Sequence, residues 1–152
     1  MNVDSIISIM AVSLNMVFAT RSCISDHINR TIPNNICKFL FIINLFSACY
    51  FGYIMQSAII TAGIFSILVL TWLIGCFGAG DIKLLCAFSI GIRPELTIAC
   101  LIMIGVCGGI QLVIVYLVGL ATRNNLFEKG IPYGIPISIS GVVFTALSFL
   151  SF

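Results

Sequence analysis

Apolar residues in this chain come in long runs, broken only by scattered polar positions. Measured against the ~20 residues a helix needs to cross hydrocarbon, the runs near 3–20, 35–52, 56–76, 96–121 and 131–151 read as spanning helices. A sixth run, near 81–92, would rise only ~18 Å as a helix, short of a ~30 Å core unless neighbours shield its ends. Three polar breaks separate the runs: Arg30 to Asn35 (RTIPNN), Arg93-Pro94-Glu95, and Arg123 to Gly130 (RNNLFEKG). Proline, glycine and asparagine there favour turns that reach water. No internal repeat or low-complexity tract interrupts the pattern. Residues 1–152 are therefore expected to form one integral-membrane domain, an all-α polytopic bundle of six helices with a short fourth segment.

Composition agrees with the pattern. The chain is 61% hydrophobic and 8% charged, with a mean hydropathy of +1.21, whereas a soluble domain carries roughly a quarter charged residues. A net charge of +2 without any Lys/Arg run excludes a nucleic-acid partner. The first twenty residues carry Asp4 ahead of the apolar run and Arg21 and Arg30 behind it, the reverse of a secretory signal, and are expected to stay as a first span. With the amino terminus outside and six crossings, Arg21, Arg30, Lys38, Lys83, Arg123 and Lys129 face the cytoplasm and Arg93 does not. The positive-inside rule selects that orientation. A re-entrant reading of 81–92 would weaken the asymmetry.

The seven cysteines (Cys23, Cys37, Cys49, Cys76, Cys86, Cys100, Cys107) lie scattered in apolar stretches with no CxxC pair. They are expected to pack as small hydrophobes rather than hold a metal or a disulfide frame. Gly105, Gly108 and Gly109 make a small-residue patch suited to close helix packing.

Five acids exist: Asp4, Asp26, Asp81, Glu95 and Glu128. Asp4, Glu95 and Glu128 stand at span ends or in a loop, where solvation accounts for them. Asp81 lies in Ile74–Leu85 (IGCFGAGDIKLL), with Gly75, Gly78 and Gly80 before it and almost no polar company. An ionisable residue in such a place is expensive and points to function. The glycines would let a helix or a peptide backbone come close. Read alone, Asp81 is also a reasonable helix N-cap. Asp26 reads as a loop acid after the first span, ahead of the turn Thr31-Ile32-Pro33-Asn34. His27 beside it is read as a loop residue without a catalytic role. The topology puts Asp26 and Asp81 on one side of the membrane, 55 positions apart in sequence. Two carboxylates brought together there would share a proton, one acting as acid and one as base. Such a pair suits proteolysis that needs no metal or cofactor.

Gly78-Ala79-Gly80-Asp81-Ile82-Lys83-Leu84 resembles the GxGDxKL signature of the prepilin peptidases, a branch of the GxGD membrane aspartyl proteases. Asp26 followed by Ile32-Pro33-Asn34 is similar to that family's first catalytic motif. Ile131-Pro132-Tyr133-Gly134-Ile135-Pro136 opens the last span much as a Pro-Tyr-Gly stretch does in its short members. The resemblance implies that Asp26 and Asp81 are catalytic, supported by Gly78, Gly80 and Lys83. It implies a type IV prepilin or pilin-like substrate whose leader is cut on the cytoplasmic side of a bacterial inner membrane. Lys83 would meet negative charge near Asp81 or snorkel to lipid head groups. Pro33, Asn34, Pro132 and Pro136 are expected to shape backbone. Longer members carry a CxxC-bearing amino-terminal region and also methylate the new pilin terminus. Here the short, peptidase-only form serving Flp-type or tight-adherence pili is expected, without N-methyltransferase activity or S-adenosylmethionine. The rival reading is a non-enzymatic membrane assembly factor or a small ion-coupled transporter using Asp81.

Overall fold

A computed structural model describes residues 2–75, 77–122 and 133–150. Cys76, the polar loop Arg123 to Gly130 and the Ile131-Pro132 pair lie outside the described residues. Six helices follow in order: α1 (Val3–Asn29), α2 (Asn34–Tyr50), α3 (Ile54–Leu73), α4 (Ala79–Ser89), α5 (Pro94–Thr122) and α6 (Gly134–Leu150). The described residues contain no strand. The all-α bundle expected from the apolar runs is what forms. Three of the helices, α1, α3 and α5, are long and apolar enough to cross a membrane.

The largest difference from expectation is the length of α1, which runs on to Asn29 instead of ending near residue 20. Asp26 and His27 are thus helical, not in a loop. The polarity that closes the apolar run does not break a helix. No glycine or proline lies between Thr20 and Asn29, and the Thr20 hydroxyl donates back to the Met16 carbonyl at 2.7 Å. Termination comes at Arg30, which adopts a left-handed φ of 54° and gives its N–H to the Asp26 carbonyl at 3.0 Å. That single left-handed residue closes the helix. Pro33 then holds the chain extended, with ψ 131°, until α2 starts.

The helices alternate in direction, so the bundle has two ends. One carries Asp4, the α2–α3 turn and the close of α6: Tyr50 Oη donates to Asp4 Oδ1 at 2.7 Å, and Ser8 Oγ to the Phe149 carbonyl at 2.7 Å. The other carries the end of α1 and the starts of α2, α4 and α6. Of the described basic residues, Arg21, Arg30, Lys38 and Lys83 belong to this second end and Arg93 to the first.

α4 is the central element. At eleven residues it is only ~16 Å long, yet Leu84, Ala87 and Phe88 are almost completely buried, together with Leu40 of α2 and Ile137 of α6. Backbone polar groups inside a membrane need partners, and in the last turn of α4 and just beyond it they find them. Tyr53 Oη donates to the Gly91 carbonyl at 2.9 Å and Ser57 Oγ to the Ile92 carbonyl at 2.8 Å. Asn44 Nδ2 donates to the Ala87 carbonyl at 2.8 Å, while its own Oδ1 accepts from Asn15 Nδ2 at 2.9 Å. These bonds supply the shielding that a segment too short to cross alone requires.

Glycine sets how closely α6 approaches α4. A Cβ on Gly141 would fall on the Phe88 ring, whereas one on Gly105 meets nothing within 4 Å. Of the small-residue patch on α5, Gly108 alone sits against the bundle, where a Cβ would lie 3.2 Å from Tyr133, while Gly105 and Gly109 face open space. The expected packing role therefore narrows to Gly108. Gly141→Ala is expected to destabilise the chain by about 1–3 kcal/mol through overpacking, and Gly105→Ala to stay within ~0.5 kcal/mol of wild type. Thermal unfolding in one detergent compares them; equal midpoints would refute the close α4–α6 contact.

Candidate active site

The inward face of α1 is a stripe of small and polar residues: Ser8, Ala11, Asn15, Ala19, Ser22 and Asp26. Their spacing of three and four keeps them on one side of the helix. Asp26 ends the stripe and is 6% exposed. Its Oδ2 accepts the Gly134 N–H at 2.9 Å. Gly134 is the first residue of α6, where backbone N–H groups lack intrahelical partners and the helix dipole favours a negative charge. A Cβ on Gly134 would stand 2.6 Å from the same oxygen, so a larger residue there would displace the carboxylate. The sequence marks the Pro-Tyr-Gly stretch by resemblance but gives Gly134 no role.

Asp81 is the third residue of α4, and the N-cap is Gly78. The cap reading is thus corrected in position and kept in part, because the Asp81 carboxylate reaches back to the Gly78 backbone amide. This is one half of a capping box. The glycines serve a purpose other than admitting a second helix. A Cβ on Gly78 would lie 3.0 Å from Asp81 Oδ2, one on Gly80 would make ordinary contact with Ile32 at 3.4 Å, and Gly75 turns the chain with φ +80°.

The two aspartates line one cavity of about 280 Å³ at the bundle's end, with Thr31, Ile32, Asn34, Gly78 and Lys83. Lys83 Nζ donates to Asn34 Oδ1 at 2.9 Å, so the lysine of one motif is tied to the asparagine of the other. The role of Asn34 thus extends beyond shaping backbone: its side chain joins α2 to α4 beside the carboxylates. His27 is exposed and lines a separate, largely apolar groove of about 540 Å³ with Arg30, Cys107 and Gln111. Among the cysteines, Cys37 and Cys100 are buried as expected and Cys49 is exposed. Among the described residues no three His, Cys, Asp or Glu side chains gather as metal ligands would.

A cavity of this size admits an extended backbone and a water molecule. Two carboxylates lining it hold one proton between them more readily than none, since like charges at close range disfavour double ionisation. Compared with known families, the chain matches the model of the type IV leader peptidase family over residues 13–114, a stretch that includes Asp26, Asn34, Gly78, Asp81 and Lys83. No curated protein and no solved structure matches.

Proposed function

The chain belongs to the type IV leader peptidase family, and from that membership we propose that it is an aspartic endopeptidase using Asp26 and Asp81. The substrate is a type IV prepilin or pilin-like protein. The observation that carries the reading is that two motifs from opposite ends of a 55-residue separation line one small cavity with their carboxylates. Asp81 is the member that holds the proton. Asp26, accepting the Gly134 amide at the start of α6, is the ionised member. Asp26 takes a proton from a water between them as the water attacks the scissile carbonyl. Asp81 donates to the developing oxyanion; as the C–N bond breaks, the proton on Asp26 passes to the leaving amine and Asp81 recovers its proton from the hydroxyl that becomes part of the new carboxyl group.

The end carrying the aspartates also carries Arg21, Arg30, Lys38 and Lys83, which by the positive-inside rule faces the cytoplasm. The chain then sits in a bacterial inner membrane and cuts a short leader there, while the apolar stem of the substrate stays in the bilayer. Co-expression with a protein bearing a basic leader before an apolar helix should yield the shortened protein, its new amino terminus read by mass spectrometry. An assembly factor or ion-coupled transporter would leave the leader intact, and intact leader with well-folded chain would sink the proposal.

The purified chain has an expected pH signature. Asp81 must be protonated, so the rate should fall as pH rises through its titration, approaching tenfold per unit above it. A rate that climbs between pH 6 and 8 would contradict the assignment.

A further inference from the structure

Next to the carboxylate cavity, on the far side of Lys83 and Asn34, α2, α3 and α4 enclose a second groove of about 460 Å³. α2 and α3 are joined by the turn at the opposite end of the bundle, so the groove opens toward the end that carries the aspartates. Along α2 its lining follows one helical stripe: Asn34 and Lys38 near the end, then Phe41 and Ile42 deeper. Phe65 of α3 forms the facing wall, and Lys83 of α4 brings a second cation to the mouth. Phe65 is 50% exposed and Ile42 48%, so the apolar part is open to its surroundings. Neither lysine has an acidic partner among the described residues; Lys83 bonds only to the neutral Asn34 side chain.

We propose that this groove is a binding site for an anionic phospholipid, its phosphate held by Lys38, Lys83 and Asn34 and its acyl chain lying on Phe41, Ile42 and Phe65. Two cations above an apolar trough match a single negative head group above a hydrocarbon tail. Basic pockets between membrane helices on the cytoplasmic side take such lipids. Lipid is also the solvent around α3, whose side chains are largely exposed, so the occupant is always at hand. Because Lys83 and Asn34 line both cavities, a bound phosphate sets where the Lys83 ammonium lies relative to Asp81. Lipid binding itself does not depend on the peptidase reading.

Trp72 is the chain's single tryptophan. It stands two turns beyond Phe65 on the same face of α3 and is 48% exposed, and so reports on the groove. The full chain in nanodiscs is titrated with brominated phosphatidylglycerol or brominated phosphatidylcholine, and Trp72 quenching is recorded. Half-quenching is expected at a roughly tenfold lower mole fraction of the anionic lipid. Lys38→Gln should remove much of that preference and Lys38→Gln/Lys83→Gln nearly all of it. Quenching by the zwitterionic lipid should stay unchanged, showing that Trp72 has not moved. Arg21→Gln, which removes a charge from the same end outside the groove, should keep the preference. Equal quenching by the two lipids overturns the site, as does an Arg21→Gln loss as large as that of Lys38→Gln. Loss of the preference on adding a leader-bearing substrate would give the groove to the substrate instead.

Discussion

Asp81→Asn should lower leader cleavage at least about a hundredfold, and Asp26→Asn should do the same, since positioned acid or base groups contribute roughly 10²–10⁴ each. Both replacements keep shape. The amide oxygen introduced at position 26 can still accept the Gly134 N–H, and the one introduced at position 81 can still accept from Gly78, so the local bonds that place each side chain survive. Neither leaves a buried charge unpaired. The unfolding midpoint of Asp81→Asn should therefore stay close to that of wild type. The double variant should be no slower than the worse single one, because residues acting as one unit lose their contribution together. Cleavage of a purified pilin-like substrate by the four proteins, at matched folded fraction, measures this. A single variant retaining more than about a tenth of the rate, or losses that multiply in the double variant, would show that the carboxylates do not act as a pair.

Much of this arrangement is legible in the chain without coordinates. Apolar run lengths mark the six helices, and the short run after Asp81 is recognisable as one needing shelter. The shelter itself is not legible, because it comes from Tyr53 and Ser57 reaching the Gly91 and Ile92 carbonyls from elsewhere in the chain. Hydropathy also misplaces the end of α1. It reports where a segment leaves hydrocarbon, not where backbone hydrogen bonding stops, and Arg21 to Asn29 continues the helix through a more polar stretch. The consequence matters for the site: Asp26 is fixed by the register of a long helix, with Ser22 one turn before it, rather than by a loop. The Asn34–Lys83 bond is hidden for a similar reason, since each residue looks ordinary within its own motif and their link appears only when α2 and α4 start at the same end.

Gly134 is the clearest case of a site contact that local sequence could not reveal, because the contact crosses 108 residues. A glycine between Tyr133 and Ile135 at a helix start reads as a turn residue, yet its helical backbone requires no left-handed torsion. What needs the missing side chain is the Asp26 carboxylate, and Gly134→Ala would set a methyl group 2.6 Å from Oδ2. One group has to move. α6 is held along its length by Ile137, Phe144 and Phe149, all buried, so the end of the Asp26 side chain is the softer partner. Displacing a catalytic carboxylate by about 1 Å costs on the order of 10²-fold. Gly134→Ala should therefore lower kcat by about that factor with KM little changed. Its unfolding midpoint should fall modestly, since alanine is a better helix residue than glycine and offsets part of the lost hydrogen bond. Gly78→Ala makes the internal comparison. There the added methyl group would lie 3.0 Å from Asp81 Oδ2, a smaller intrusion, and the loss in kcat should be smaller. If Gly134→Ala kept full kcat, or lost activity only in proportion to unfolding, the α6 amide would be packing against Asp26 without positioning it for the reaction.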